Sequence, residues 1–240
     1  MTTAALQAIV FDFDGVIADS EPLHLHAFQR TLEDEGVELS ADDYYSRYLG
    51  YDDVGLLQAL ARDRRLPLSD GQIAGLVAKK GSQLLDLLRS GAVLFPGAAE
   101  FVRAASAAVP IAVASGALKH EILEILGAAD LAHLFTTIVA AGDTPQSKPS
   151  PAPYLLAFER LRHDTGLDIE ARRCVAIEDS RWGLESASGA GLRCVGVTTS
   201  YPAEELTGAE LVVGGLDELT LEALDRLCAS ATTAHAQRPR

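Results

Sequence analysis

The sequence predicts an α/β fold: a parallel sheet with helices on both faces, interrupted after its first strand by an all-helical block. Near the N-terminus an unbroken apolar run, Ala8-Ile9-Val10-Phe11, ends in Asp12, Phe13, Asp14 and Gly15, which reads as a strand buried on both faces that delivers two carboxylates at its C-terminal edge. From Leu94 onward short apolar runs alternate with amphipathic helical segments, the pattern of parallel strands joined by helical crossovers. Between these, residues 21 to 90 carry apolar side chains at helical period.

Taken in order, Glu21-Pro22 followed by Leu23, Leu25, Phe28 and Leu32, with a stop at Gly36, predicts the first helix. Ser40 with Asp43 three residues on resembles a capping box opening a second. Asp52-Asp53 precede Leu56, Leu57 and Leu60, and Ser69-Asp70 precede Ile73, Leu76, Val77, Leu84, Leu85 and Leu88, both at helical period. Leu94-Phe95-Pro96-Gly97 marks the return to the sheet. Beyond it the expected order is helix 98–108, strand 111–114, helix 119–126 stopped at Gly127, strand 137–140, helix 153–161, strand 174–177, helix 181–190, strand 194–197, a last strand at 211–213 and a helix at 219–228. The expected domains are a core of residues 1–19 and 92–230, a helical insertion of residues 20–91, and a disordered tail of residues 231–240.

At 240 residues and 48% hydrophobic content the chain can build a large core. A formal net charge of -14 argues against a nucleic-acid partner, since phosphate backbones need clustered Lys and Arg. An anionic substrate would have to be met by local positive charge, from a metal and a few Lys or Arg. The absence of an apolar run of about 18 residues and of a signal pattern predicts no membrane partner and a cytoplasmic location. Cys174, Cys194 and Cys228 are widely spaced and are expected to be reduced, buried thiols.

In an open parallel sheet, ligands gather at the carboxyl ends of the strands. The residues just past each expected strand are Asp12 and Asp14, Ser115 and Gly116, the loop from Gly142 to Lys148, and Glu178 with Asp179. Together they offer acids, a hydroxyl and a lysine. Each has a structural alternative: Ser115 as a helix N-cap, Lys148 as a solvated lysine in a Pro-rich loop, and Glu178-Asp179 as acids favoured by a helix start. His24 and His26, two residues apart in a helix, do not share a face and make no metal pair. The DFDG string is not a calcium loop, because its twelfth position is Leu23 rather than a bidentate Glu.

On these residues the chain resembles the haloacid dehalogenase-like phosphotransferases, in the branch whose helical cap is inserted directly after the first motif. The resemblance spans about residues 6 to 200: DFDGVIADS at Asp12 to Ser20, Ser115 in VASG, Lys148 in SKPSPAPY, and IEDS with Glu178 and Asp179. It implies a Rossmann-like core, with Asp12 attacking phosphorus to form an aspartyl-phosphate and Asp14 protonating the leaving oxygen. Mg²⁺ would be held by Asp12, the backbone carbonyl of Asp14, Glu178 and Asp179, while Ser115, the N–H groups after it (Gly116 first) and Lys148 would hold the phosphoryl oxygens. The cap would close over the leaving group, with Tyr44, Tyr45, Arg47, Tyr48, Tyr51 and Asp53 as candidate lining residues and His24 near the hinge; packing of the tyrosines within the helices is the alternative.

Both beta-phosphoglucomutase-like proteins and small-metabolite phosphatases share DGVIADSEPLH. The mutases keep a cap Arg after a Gly turn; that turn falls at Gly50-Tyr51-Asp52-Asp53, and Asp53 occupies the Arg position. An acid there would repel a second phosphate, although Arg47, Lys79 or Lys80 could substitute with a different cap geometry. The expectation is a Mg²⁺-dependent phosphatase acting, as a monomer or weak dimer, on a small phosphorylated metabolite such as a sugar phosphate. The alternatives are a mutase of the beta-phosphoglucomutase type and a catalytically inactive binding protein, which would be expected to have lost at least one motif residue, whereas none is lost.

Overall fold

The computed structural model describes residues 5–48, 51–88 and 93–235. The expected turn glycine Gly50, the end of the helical block at residues 89–91 and the last part of the expected tail, residues 236–240, lie outside them. The chain divides into two compact units, Met1–Asp19 with Ala92–Arg240, and Ser20–Gly91.

Strand β1 is Ala8–Phe11. The helical unit follows with α1 (Glu21–Glu33), α2 (Ala41–Asp43), a π-helical turn at Tyr44–Tyr48, α3 (Asp53–Arg64) and α4 (Asp70–Leu88). The first unit resumes with α5 (Ala98–Ala108), β2 (Ile111–Ala114), α6 (Lys119–Ala128), β3 (Thr137–Val139), α7 (Ala152–Thr165), β4 (Cys174–Glu178), α8 (Arg181–Gly189), β5 (Arg193–Val197), β6 (Leu211–Val213) and α9 (Leu221–His235). Among the described residues the strands form one sheet in the order β3-β2-β1-β4-β5-β6, with every neighbouring pair parallel. This is a Rossmann-like α/β architecture.

The sheet order runs outward from β1 in both directions, so the crossovers switch sides at β1 and open a crevice beyond its carboxyl end. All four β1 residues are buried, as a central strand covered on both faces requires. Alternation divides them. Ala8 and Val10 join Ala112, Ala114, Tyr154, Ala157 and Leu161 in the core beneath α7 and α8, while Phe11 turns the other way and meets Phe101 and Phe135 edge-on, each at 6.1 Å. Burying Phe11 alone is worth about 2–3 kcal/mol.

The helical unit has its own core of Leu25, Phe28, Leu32, Leu39, Tyr44, Tyr48, Leu56, Leu57, Leu60, Ile73 and Leu76. Asp52 caps α3, accepting from the Gly55 N–H at 2.6 Å. Ser40 accepts from the Asp43 N–H at 3.1 Å as the capping pattern predicts, but the helix it opens is a single turn that widens into the π turn. Tyr44 and Tyr48, four residues apart at its two ends, share a face and both enter the core. The tail also departs from expectation: α9 continues to His235 instead of ending near Cys228. Once nucleated by the packed turns around Leu224 and Cys228, an Ala-rich helix propagates at little cost.

Candidate active site

Asp12 lies one residue beyond β1, and its N–H still donates to the Ile177 carbonyl of β4 at 2.9 Å. Continuing the alternation of Ala8 and Val10, it turns toward α7 and α8. There Lys148 Nζ lies 2.8 Å from Asp12 Oδ1 and 2.6 Å from Glu178 Oε1. Lys148 is only partly exposed, its side chain 14% accessible, and its ammonium is paired with two acids, so the solvated-lysine alternative fails. Glu178, at the end of β4, is wholly buried. The hydroxyl of Tyr154 on α7 donates to its Oε1 at 2.8 Å, and the Ser180 hydroxyl donates to its Oε2 at 3.1 Å while accepting from the Gly183 N–H at 3.1 Å.

One oxygen from each of Asp12, Glu178 and Asp179 can be chosen so that all three lie within 4.8 Å of one another. Burial first, then the Glu178 charge, hold Asp12 well above the usual carboxylate range, against the pull of Lys148. The same two causes push Asp179 up to about 7. Burial by itself would lower Lys148, but the Asp12 and Glu178 charges outweigh it and raise its ammonium above the ordinary lysine value. Three buried acids facing one lysine leave an excess of negative charge that a divalent cation would neutralise. Hard carboxylate oxygens fit Mg²⁺.

Asp14 is half-buried in the turn that follows, its backbone bridged to Ala18. Gly15 has φ +78°, and a Cβ there would overlap the Asp179 carboxylate; the Thr199 hydroxyl donates to its carbonyl. Ser115 is buried at the end of β2, its N–H donating to the Val139 carbonyl at 3.0 Å and its Oγ accepting from the Ala117 N–H at 3.0 Å. The helix-cap alternative for Ser115 does not hold: α6 starts at Lys119 with Leu118 at its N-cap, so Ser115 and Gly116 shape a turn ahead of it. The geometry thus gathers Asp12, Lys148, Glu178 and Asp179 at one sheet edge, with Asp14 in the adjoining turn and Ser115 and Gly116 past the neighbouring strand.

Sequence reasoning missed Tyr154, Ser180 and Gly183. A Cβ on Gly183 would overlap the Glu178 carboxylate, and a glycine inside a helix was the available signal, since it costs about 1 kcal/mol there without a packing reason. Gly183→Ala is therefore expected to reverse the usual gain, lowering stability by about 1–3 kcal/mol through overpacking and depressing phosphate release. Thermal melts and activity measured together check it; a raised Tm with full activity would refute the tight seat.

The remaining candidates lie in the helical unit. Lys80 is fully buried; its Nζ contacts Asp53 Oδ1 at 2.8 Å and Oδ2 at 3.0 Å and donates to His24 Nδ1 at 2.9 Å. An ammonium can only donate, so Nδ1 accepts and the imidazole is neutral. Burial, then Lys80, lower His24 to about 3. Because the unfolded imidazole binds a proton near pH 6.5 and the folded one resists it, His24 contributes stability above about pH 6.5 that is lost as the pH falls toward 3. His24→Gln is expected to lose less Tm between pH 7 and pH 5 than the wild type, as parallel melts would show. Asp53→Asn leaves the Lys80 charge buried with a weaker partner and is expected to cost about 3 kcal/mol, readable by urea unfolding; a change below about 0.5 kcal/mol would mean that the pair is structurally idle.

Asp53 is thus the partner of Lys80 and not an open acid. Tyr44 belongs to the core and donates to Glu21, and Tyr48 donates to Asp63 at 3.0 Å, so the packing alternative holds for both. Tyr45 and Tyr51 are exposed. Arg47 pairs with Asp63 at 2.6 Å and Asp43 at 3.5 Å, and Lys79 pairs with Asp34.

A family model for haloacid dehalogenase-like hydrolases matches residues 6–191. The chain is 30% identical to protein CbbY of Rhodobacter capsulatus over 92% of its own length and 99% of the relative's. It is 31% identical to a phosphorylated carbohydrates phosphatase of Thermotoga maritima, over 81% and 87% of the two lengths. The crystal structure of a CbbY variant from Rhodobacter sphaeroides in complex with xylulose-(1,5)bisphosphate superposes with a TM-score of 0.78 at 29% identity, covering 92% of this chain and 99% of that one. With the motif residues converging at one sheet edge and the family model spanning most of the chain, this protein belongs to the haloacid dehalogenase-like hydrolases.

Proposed function

We propose that this phosphoric monoester hydrolase releases phosphate from a small phosphorylated sugar through an aspartyl-phosphate on Asp12, with Mg²⁺ as its cofactor. The observation that carries the reading is the buried cluster of Asp12, Glu178 and Asp179 against Lys148 at the carboxyl edge of the sheet. Similarity to a phosphorylated carbohydrates phosphatase and to CbbY proteins supports the substrate class.

An Asp12 carboxylate oxygen forms a bond to phosphorus as the ester P–O bond breaks, and Asp14 gives its proton to the departing oxygen. Asp14 then takes a proton from water, whose oxygen attacks phosphorus, releasing inorganic phosphate and restoring Asp12. Lys148 lowers the proton affinity of Asp12, opposing the rise that burial and the Glu178 charge cause, and with Ser115 it offers positive charge and a donor to the phosphoryl oxygens. Mg²⁺, held by Asp12, Glu178, Asp179 and the backbone carbonyl of Asp14, would supply charge neutralisation for the phosphoryl group.

Water is the final acceptor in this reading, because Asp53 stands where a mutase would keep its Arg, and Lys80, which could have substituted, is buried and engaged by Asp53 and His24. The test is phosphate release with Mg²⁺ from a panel of sugar monophosphates, phosphoglycolate and nucleoside monophosphates. Release favouring sugar phosphates supports the reading. Conversion of beta-glucose 1-phosphate to the 6-phosphate without net release would replace it by the mutase reading, and no turnover of any kind would favour a binding protein on this fold.

A further inference from the structure

The carboxylate of Glu178 is more completely engaged than a metal ligand needs to be, and the engagement is lopsided. A carboxylate has about four lone-pair positions, two on each oxygen. On Oε1 both are taken: Lys148 Nζ lies at 2.6 Å and the Tyr154 hydroxyl donates at 2.8 Å. On Oε2 the Ser180 hydroxyl takes one, at 3.1 Å. Among the described residues, the position that remains is on Oε2.

We propose that Tyr154 is a positioning residue for the divalent cation: with Lys148 it saturates Oε1 of Glu178, so that the carboxylate is presented to the metal through Oε2. The inference rests on the reading above that Glu178 ligates Mg²⁺. Of the two groups on Oε1, Tyr154 is the constant one. Lys148 also contacts Asp12 at 2.8 Å and is assigned to the phosphoryl oxygens, so its hold on Glu178 is shared. Tyr154 is wholly buried in the core beneath α7, with its ring fixed among Ala157, Leu161 and the inner face of the sheet. Its hydroxyl can keep Glu178 in one orientation while the lysine turns to substrate. The ring also lies 5.1 Å from the Lys148 ammonium, which draws the cation over its face. Hydroxyl and ring therefore do separable work, and phenylalanine keeps the ring while removing the hydroxyl.

Calorimetric titration of Mg²⁺ into the metal-free wild type, Tyr154→Phe and Glu178→Gln tests this without reference to turnover. Tyr154→Phe is expected to bind Mg²⁺ about tenfold more weakly, the effect typical of losing a group that orients a metal ligand, and Glu178→Gln more weakly still. If Glu178→Gln binds Mg²⁺ as the wild type does, the metal-site reading fails. If Glu178→Gln weakens binding and Tyr154→Phe does not, the role of Tyr154 fails on its own. A crystal structure of the wild type grown with Mg²⁺ decides the matter independently of how the variants fold: the cation on Oε2 with the Tyr154 hydroxyl still on Oε1 supports the proposal, and the cation on Oε1 overturns it.

Discussion

Asp12→Asn is expected to lower phosphate release by about four orders of magnitude or more, the scale of losing a covalent nucleophile, while the protein stays folded. The two halves of this expectation have different physical origins. The amide has no anionic oxygen to attack phosphorus, so turnover collapses. Yet the native carboxylate is destabilised by burial and by Glu178, and removing its charge relieves the cluster. The metal-free variant should melt no lower than the metal-free wild type, even though Lys148 loses one of its two acidic partners. Phosphate-release assays and melts on the same preparations check both halves. Activity within tenfold of the wild type would remove Asp12 from the role of nucleophile, and a large fall in Tm would mean that the aspartate is structural.

Lys148→Met comes next in size. It removes the cation that faces Asp12 and Glu178, and an electrostatic contact of this kind to a transferring group is worth about 10²–10³ in rate. Stability should suffer as well. Taking one partner from a buried ionic cluster costs about 3–5 kcal/mol before the acids respond, whereas a solvated surface lysine could be replaced within about 0.5 kcal/mol. The acids respond by taking up protons, since without Lys148 the proton affinity of Asp12 rises further. A carboxyl group raised in the folded state contributes stability at a pH below its unfolded value, near 4, and that contribution is lost as the pH rises. The metal-free variant should therefore fall furthest behind the wild type at pH 8 and least at pH 5. A deficit independent of pH would indicate lost packing of the lysine stem against Tyr154 instead of lost charge.

Both residues could be picked out along the chain, but their contacts could not. Asp12, Ser115 and the Glu178-Asp179 pair stand out along the chain because each lies just past an apolar run, and Lys148 because it lies in the loop that follows another; in a parallel sheet every such run ends on the same edge. Which atoms touch was not legible. That Lys148 bridges Asp12 and Glu178, that Tyr154 holds Oε1, and that Gly183 must lack a side chain beside Glu178 depend on α7 and α8 packing over the same face of the sheet. The helical unit repeats the lesson: Asp53 reads as an open acid along the chain, and becomes the partner of a buried lysine 27 residues away once α3 and α4 pack. Ser115 reads as a cap because a helix follows, but the helix begins only after an intervening turn.

The sequence by itself determined the layered α/β architecture, the helical insertion after β1 and the chemical types gathered at the sheet edge, because these follow from periodicity and chain punctuation, which are local. The tertiary structure alone decided the charge balance of the cluster, the orientation of Glu178 and the pairing of Lys80 with Asp53. Those depend on distances between residues remote in sequence, and on burial, which makes each unmatched charge expensive and so selects the partner that neutralises it.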